Sequence, residues 1–102
     1  MRAFKHPPIE QVSVEQVLYS LSDSVRLAIV RKLVKEGEAS CAALDCGKAK
    51  SSMSHHFRVL RESGIVQTRS EGVTHLNSVR YKELERRFPG LLKAILAAEG
   101  PC

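Results

Sequence analysis

No apolar run in this 102-residue chain approaches the ~20 residues needed to cross a bilayer as a helix. The start, Met1-Arg2-Ala3-Phe4-Lys5-His6-Pro7-Pro8, also lacks the apolar centre of a secretory signal. A cytoplasmic protein without membrane contact is expected. Equally missing are a Gly-rich phosphate loop, a metal-protease histidine pair and a nucleophile elbow, which argues against an enzyme. Cysteine is sparse: three residues, Cys41, Cys46 and Cys102, in a reducing compartment make structural disulfides an unexpected feature. There is no internal repeat and no low-complexity tract. Acidic residues are outnumbered, 11 Asp plus Glu against 16 Lys plus Arg, and the net charge of +5 suits a polyanion partner. Many basic proteins bind no nucleic acid, so charge counts only beside a motif.

The motif is Lys50-Ser-Ser-Met-Ser-His-His-Phe-Arg-Val-Leu-Arg61. Met53, Phe57 and Leu60 fall at i, i+4 and i+7, one narrow helical stripe that must face a core, and Gly64 continues it at the helix end. Opposite that stripe lie Ser51, His55, Arg58 and Glu62, flanked by Ser54. Short hydroxyls and helix N-terminal N–H groups can approach phosphates, and an arginine beyond them can reach a guanine edge. This face is that of a recognition helix.

Its neighbours support the assignment. Upstream, Ser22-Asp23-Ser24 supplies N-cap chemistry for an amphipathic helix carrying Val25, Leu27, Ile29, Val30, Leu33 and Val34, which Gly37 ends. Ala39 to Cys46 fits a two-turn helix, and Gly47 permits a turn into the Lys50 helix, giving helix-turn-helix order. Downstream, Ile65 to Arg69 reads as a strand, Ser70-Glu71-Gly72 as a turn and Val73 to Val79 as the returning strand. That hairpin would be a wing. The expected fold is mainly α with a β-hairpin wing, a dimeric winged helix-turn-helix.

From about Leu21 to Val79 the chain resembles the bacterial ArsR/SmtB-type winged-helix repressors. The resemblance rests on Leu21-Ser-Asp-Ser-Val-Arg-Leu27, on Ser54-His-His-Phe-Arg-Val-Leu-Arg-Glu-Ser-Gly-Ile-Val66, and on the Arg69-Ser-Glu-Gly72 wing turn. It implies a homodimeric repressor of double-stranded DNA that leaves its operator when an effector binds. Two-fold symmetry would require an imperfect inverted repeat. Lys50, Ser51 and Ser52 are then expected at phosphates, Ser54, His55 and Arg58 at base edges or close phosphates, and Arg69 at the wing, with His75 a further wing contact. Two alternatives stay open: a winged-helix protein-interaction module without DNA binding, and a constitutive repressor with no effector site.

The chain ends carry the dimer argument. Val14, Val17, Leu18 and Leu21 form one stripe, while Leu84, Phe88, Leu91, Leu92, Ile95 and Leu96 form a broad face interrupted by Pro89-Gly90. A small core cannot easily absorb both, so the terminal helices are expected to pair across a two-fold axis. Residues 1–11 read as a flexible arm, with His6 a solvated side chain, 12–98 as the domain and 99–102 as a loose tail.

The sensor is the least legible part. Metal-responsive relatives of this type use a Cys-x-Cys pair before the recognition helix or Asp, His and Glu sets on the last helix, and neither is intact here. No metal and no cofactor is expected. On a continuous helix Cys41 and Cys46 would lie ~140° apart, unable to share one ion. Cys41, beside Ala42, Ala43 and Leu44, reads as a small buried hydrophobe, and a thiol response would fall to Cys46 or Cys41. Of the paired histidines, His55 faces outward, whereas His56 falls toward Met53 and Leu60 and should hydrogen-bond within the domain.

Overall fold

Capping residues set where the first helices begin. Ser13 Oγ accepts the Gln16 N–H at 3.2 Å while Gln16 Oε1 accepts the Ser13 N–H at 3.4 Å, a reciprocal box that opens α1 (Val14–Leu21). Asp23 Oδ1 accepts the N–H groups of Val25 and Arg26 at 2.8 and 3.1 Å and opens α2 (Ser24–Glu36), which Gly37 closes at φ +87°. The computed structural model describes residues 4–44 and 49–98. A short 3-10 turn at Ile9–Gln11 precedes α1; after α2 come β1 (Ala39–Ser40), a second 3-10 turn at Ala42–Leu44, α3 (Lys50–Glu62), β2 (Val66–Glu71), β3 (Thr74–Val79), α4 (Tyr81–Arg87) and α5 (Leu91–Ala97).

The three strands form one antiparallel sheet in the order β1-β3-β2, with Ala39 opposite Asn77 and Val66 opposite Val79. The stripe expected on α3 is buried: Met53, Phe57 and Leu60 join Ile29, Val30 and Leu33 of α2, with Val17, Leu21, Leu44, Ile65, Leu84 and Leu92 in the same core. Each such side chain contributes roughly 1.5–3 kcal/mol on burial, so this stripe fixes the orientation of α3 about its own axis. Gly64 follows α3 at φ +82°, where the Ile65 N–H reaches back to Leu60 O at 3.1 Å and turns the chain directly into β2.

Three features depart from the sequence expectation. Ala39 and Ser40 pair with β3 as a strand and only Ala42–Leu44 coils, so the two-turn helix over Ala39 to Cys46 is not formed there; cross-strand hydrogen bonds outweigh the helical preference of the alanines. Cys46 and Gly47 lie outside the described residues. The hairpin also runs further than expected, because Ser70 and Glu71 pair with His75 and Thr74, leaving Gly72 and Val73 as the turn. Finally, the apolar stripes at the chain ends are divided. Val17, Leu21, Leu84 and Leu92 enter the core, while Val14, Leu18 and Tyr19 stay exposed, Leu18 at 49% and Tyr19 at 65%. Leu91, Ile95 and Leu96 are half-buried at the core margin.

Candidate nucleic-acid interface

Burying Met53, Phe57 and Leu60 turns the opposite face of α3 outward. Ser51, Ser52, Ser54, His55 and Arg58 are all exposed on it, and the backbone of Lys50 forms its first turn. The N-cap is Ala49, whose methyl group cannot accept a hydrogen bond, and no side chain caps the helix at that position. A row of hydroxyls, an imidazole and a guanidinium on an exposed helix can donate to phosphates and base edges at close range.

Behind that face a polar cluster fixes the helix to α2. Arg26 is buried; its Nε donates to Ser20 O at 2.8 Å and its Nη1 to His56 Nδ1 at 3.2 Å, and the guanidinium lies 5.5 Å from the Tyr19 ring centroid. Accepting from Arg26 requires a bare His56 Nδ1 and so a neutral ring. Burial pushes the His56 pKa below the usual histidine value; Asp23, 3.9 Å from Nδ1, opposes the shift, and the charges on Arg26 and His55 add to it. His56 therefore takes the internal role its position predicted. At the far end of α3 the Ser20 and Ser63 hydroxyls meet at 2.5 Å, with Ser63 Oγ also donating to Val59 O. Arg26 itself was missed in the sequence, although its spacing to Ile29, Val30 and Leu33 places it on the inward stripe.

The wing is braced from within. Asn77, fully buried, accepts from Thr68 Oγ1 at 2.7 Å and donates to Ala39 O and Cys41 Sγ, each at 3.3 Å. Cys41 is half-buried against the core in the turn after β1, so the helical-angle argument relating it to Cys46 does not apply. Arg69 is exposed on β2 but not free: its Nε and Nη2 bond both oxygens of Glu38 at 3.0 Å, and its Nη1 bonds Glu71 at 2.8 Å. The hydrogen bond from Arg69 draws the Glu38 carboxyl below its usual range, with burial opposing weakly, and the two carboxylates raise the Arg69 pKa in turn. The arginine expected at the wing is thus a cation between two anions. His75 is exposed on β3, its ring edge-on to Phe4 with centroids 4.9 Å apart. Among the described residues no group of three His, Cys, Asp or Glu side chains is placed to hold a metal ion, and no helix is long and apolar enough to cross a membrane.

Comparison with known proteins agrees with this architecture. A helix-turn-helix domain family matches residues 21–69. An uncharacterised helix-turn-helix-type transcriptional regulator of Bacillus subtilis, YceK, is 37% identical over 83 residues, 78% of this chain and 83% of the relative. The crystal structure of the transcriptional repressor BigR from Xylella fastidiosa is similar at 36% identity and a TM-score of 0.61, over 74% of this chain and 85% of that one. A solved ArsR family transcriptional regulator aligns at a TM-score of 0.66 over 84% of this chain and 98% of that one; at 18% identity it speaks for the fold alone.

Proposed function

We propose that this chain, which belongs to the helix-turn-helix transcriptional regulators, a class that works by binding and not by catalysis, is a homodimeric repressor of ArsR type that binds an imperfect inverted repeat in double-stranded DNA. The single observation that carries this reading is the exposed Ser51, Ser52, Ser54, His55 and Arg58 face of a helix whose other side is locked into the core. In it, α3 enters a major groove, Lys50, Ser51 and Ser52 contact phosphates, Ser54, His55 and Arg58 contact base edges or close phosphates, and the hairpin lays Arg69 and His75 against the flanking backbone. BigR is a repressor, which favours repression over activation. Exposed Val14, Leu18 and Tyr19 on α1, together with the half-buried Leu91, Ile95 and Leu96 on α5, supply apolar surface for a second copy.

Release by an effector or by thiol modification completes the reading. Cys41 is the described thiol suited to this, because modifying Sγ would break its contact with Asn77 and disturb the joint between β1 and the wing. Genomic fragments selected by the purified protein supply the operator. Anisotropy with that duplex should show tight binding that a scrambled duplex does not, and sedimentation should report about twice the chain mass. Repeating the titration with oxidant separates a thiol-responsive repressor from a constitutive one. Equal affinity for operator and scrambled duplex would leave the interaction-module alternative standing.

A further inference from the structure

Residues Phe4 to Pro8 are not the free arm their composition suggests. Pro7 and Pro8 hold the backbone extended, Pro8 at φ −59° and ψ 144°, and their missing N–H groups prevent the segment from joining the sheet as a strand. A side chain reaches the open edge of β2 instead. The Thr68 N–H donates to His6 Nε2 at 3.0 Å, which corrects the expectation of a solvated His6. Next along, Pro7 O accepts from Arg80 Nη1 at 2.8 Å, and the same guanidinium grips Glu83 at 2.9 and 3.2 Å just inside α4. At the other end the Phe4 ring lies 4.7 Å from the Arg61 guanidinium, in the last turn of α3, and edge-on to His75 of β3. Through Phe4, His6 and Pro7 the segment therefore touches α3, both wing strands and the N-cap of α4.

We propose that this segment is a clasp that sets the wing against the recognition helix, with His6 a positioning residue for DNA binding that releases the clasp on protonation. Its geometry stands on its own; its effect on operator affinity rests on the DNA reading above. The acceptor role of Nε2 requires a neutral ring, and a protonated ring would point a donor at the Thr68 N–H, another donor. The groups facing His6 do not favour its charge: Arg80 and Arg61 are cations, Glu83 is occupied by Arg80, and His75 lies across Phe4. Burial, followed by these two arginines, keeps the His6 pKa below the usual value. With the folded pKa depressed, the clasp is fully made above the unfolded value of about 6.5 and is lost as pH falls through the lower folded value.

The sign separates this role from direct contact. Protonating a histidine in direct contact with DNA adds a cation and tightens binding in acid, whereas protonating His6 loosens it. Glutamine can accept from the Thr68 N–H at every pH, so His6→Gln should match the parent at about pH 8 and bind operator roughly threefold to tenfold tighter than the parent at about pH 5. His6→Ala should be weak at both. Hydrogen exchange of the Thr68 amide, read without DNA and corrected for intrinsic rate, should lose protection in the parent between those pH values and keep it in His6→Gln. Thr68 protection that does not change with pH in the parent, or an affinity ratio between parent and His6→Gln that is flat across pH, overturns the proposal. A parent that never distinguishes operator from scrambled duplex defeats the DNA role of His6, while the Thr68 amide still decides whether the clasp forms.

Discussion

Replacing Gly64 by alanine should destabilise the fold by about 2–4 kcal/mol, the sum of a strained left-handed backbone and a steric overlap. The residue sits at φ +82°, and a Cβ added there would fall inside the Val12 side chain, which is itself fully buried. Val12 cannot yield cheaply. Val12 is held because its carbonyl accepts from Arg87 Nε at 2.7 Å and its N–H bonds Ile9 O at 3.1 Å. Urea unfolding at one fixed protein concentration should show a lower midpoint with unchanged slope. Adding Val12→Ala should relieve the overlap but not the backbone strain, so the double variant should be less unstable than the two single losses added together. A Gly64→Ala protein within 0.5 kcal/mol of the parent, roughly the scatter of neutral surface changes, would show that the junction between α3 and the wing is loosely packed. Because Gly64 joins α3 to β2, this variant should also weaken DNA binding through lost population of the folded protein.

The helices and hairpin were legible because their signals are local. Met53, Phe57 and Leu60 repeat at the helical period, Asp23 and Gly37 bracket α2, and Gly72 sits where the strands reverse; each acts over a few residues and survives into the structure. β1 was hidden for the opposite reason. Ala39 and Ser40 carry no strand preference of their own, and their conformation comes from Leu76 and Asn77, far along the chain. The exposed face of α3 followed directly from its buried face, so Ser51, Ser54, His55, Arg58 and Glu62 could be placed on it in advance. What sequence could not supply was the partner of each long side chain. Arg69 and Arg58 look alike in a string of letters, yet only Arg69 folds beside Glu38, 31 residues earlier. His6 looks solvated until the open edge of β2 is laid beside it. Such pairings depend on tertiary geometry, and no spacing rule encodes them.

Arg58→Ala and His55→Ala should each cost on the order of 1–3 kcal/mol in operator affinity and narrow the gap between operator and scrambled duplex. Both side chains are exposed on α3. The wing should behave differently. Arg69 reaches a phosphate only by giving up the Glu38 and Glu71 carboxylates, and the three groups together carry one net negative charge. Arg69→Ala should therefore weaken operator and scrambled duplex alike and reduce the slope of log affinity against log salt by about one. Glu38→Gln should do the reverse, tightening both duplexes, because it removes an anion beside Arg69 and leaves one acceptor oxygen where two held its Nε and Nη2 donors. Lys50→Ala should resemble Arg69→Ala, since a phosphate contact at the start of a helix carries no base information. Anisotropy titrations with the two duplexes across a salt series separate these classes. If Arg58→Ala and His55→Ala keep full discrimination while Glu38→Gln alters it, base selection lies at the wing and not on α3, and the reading of α3 as the recognition helix fails.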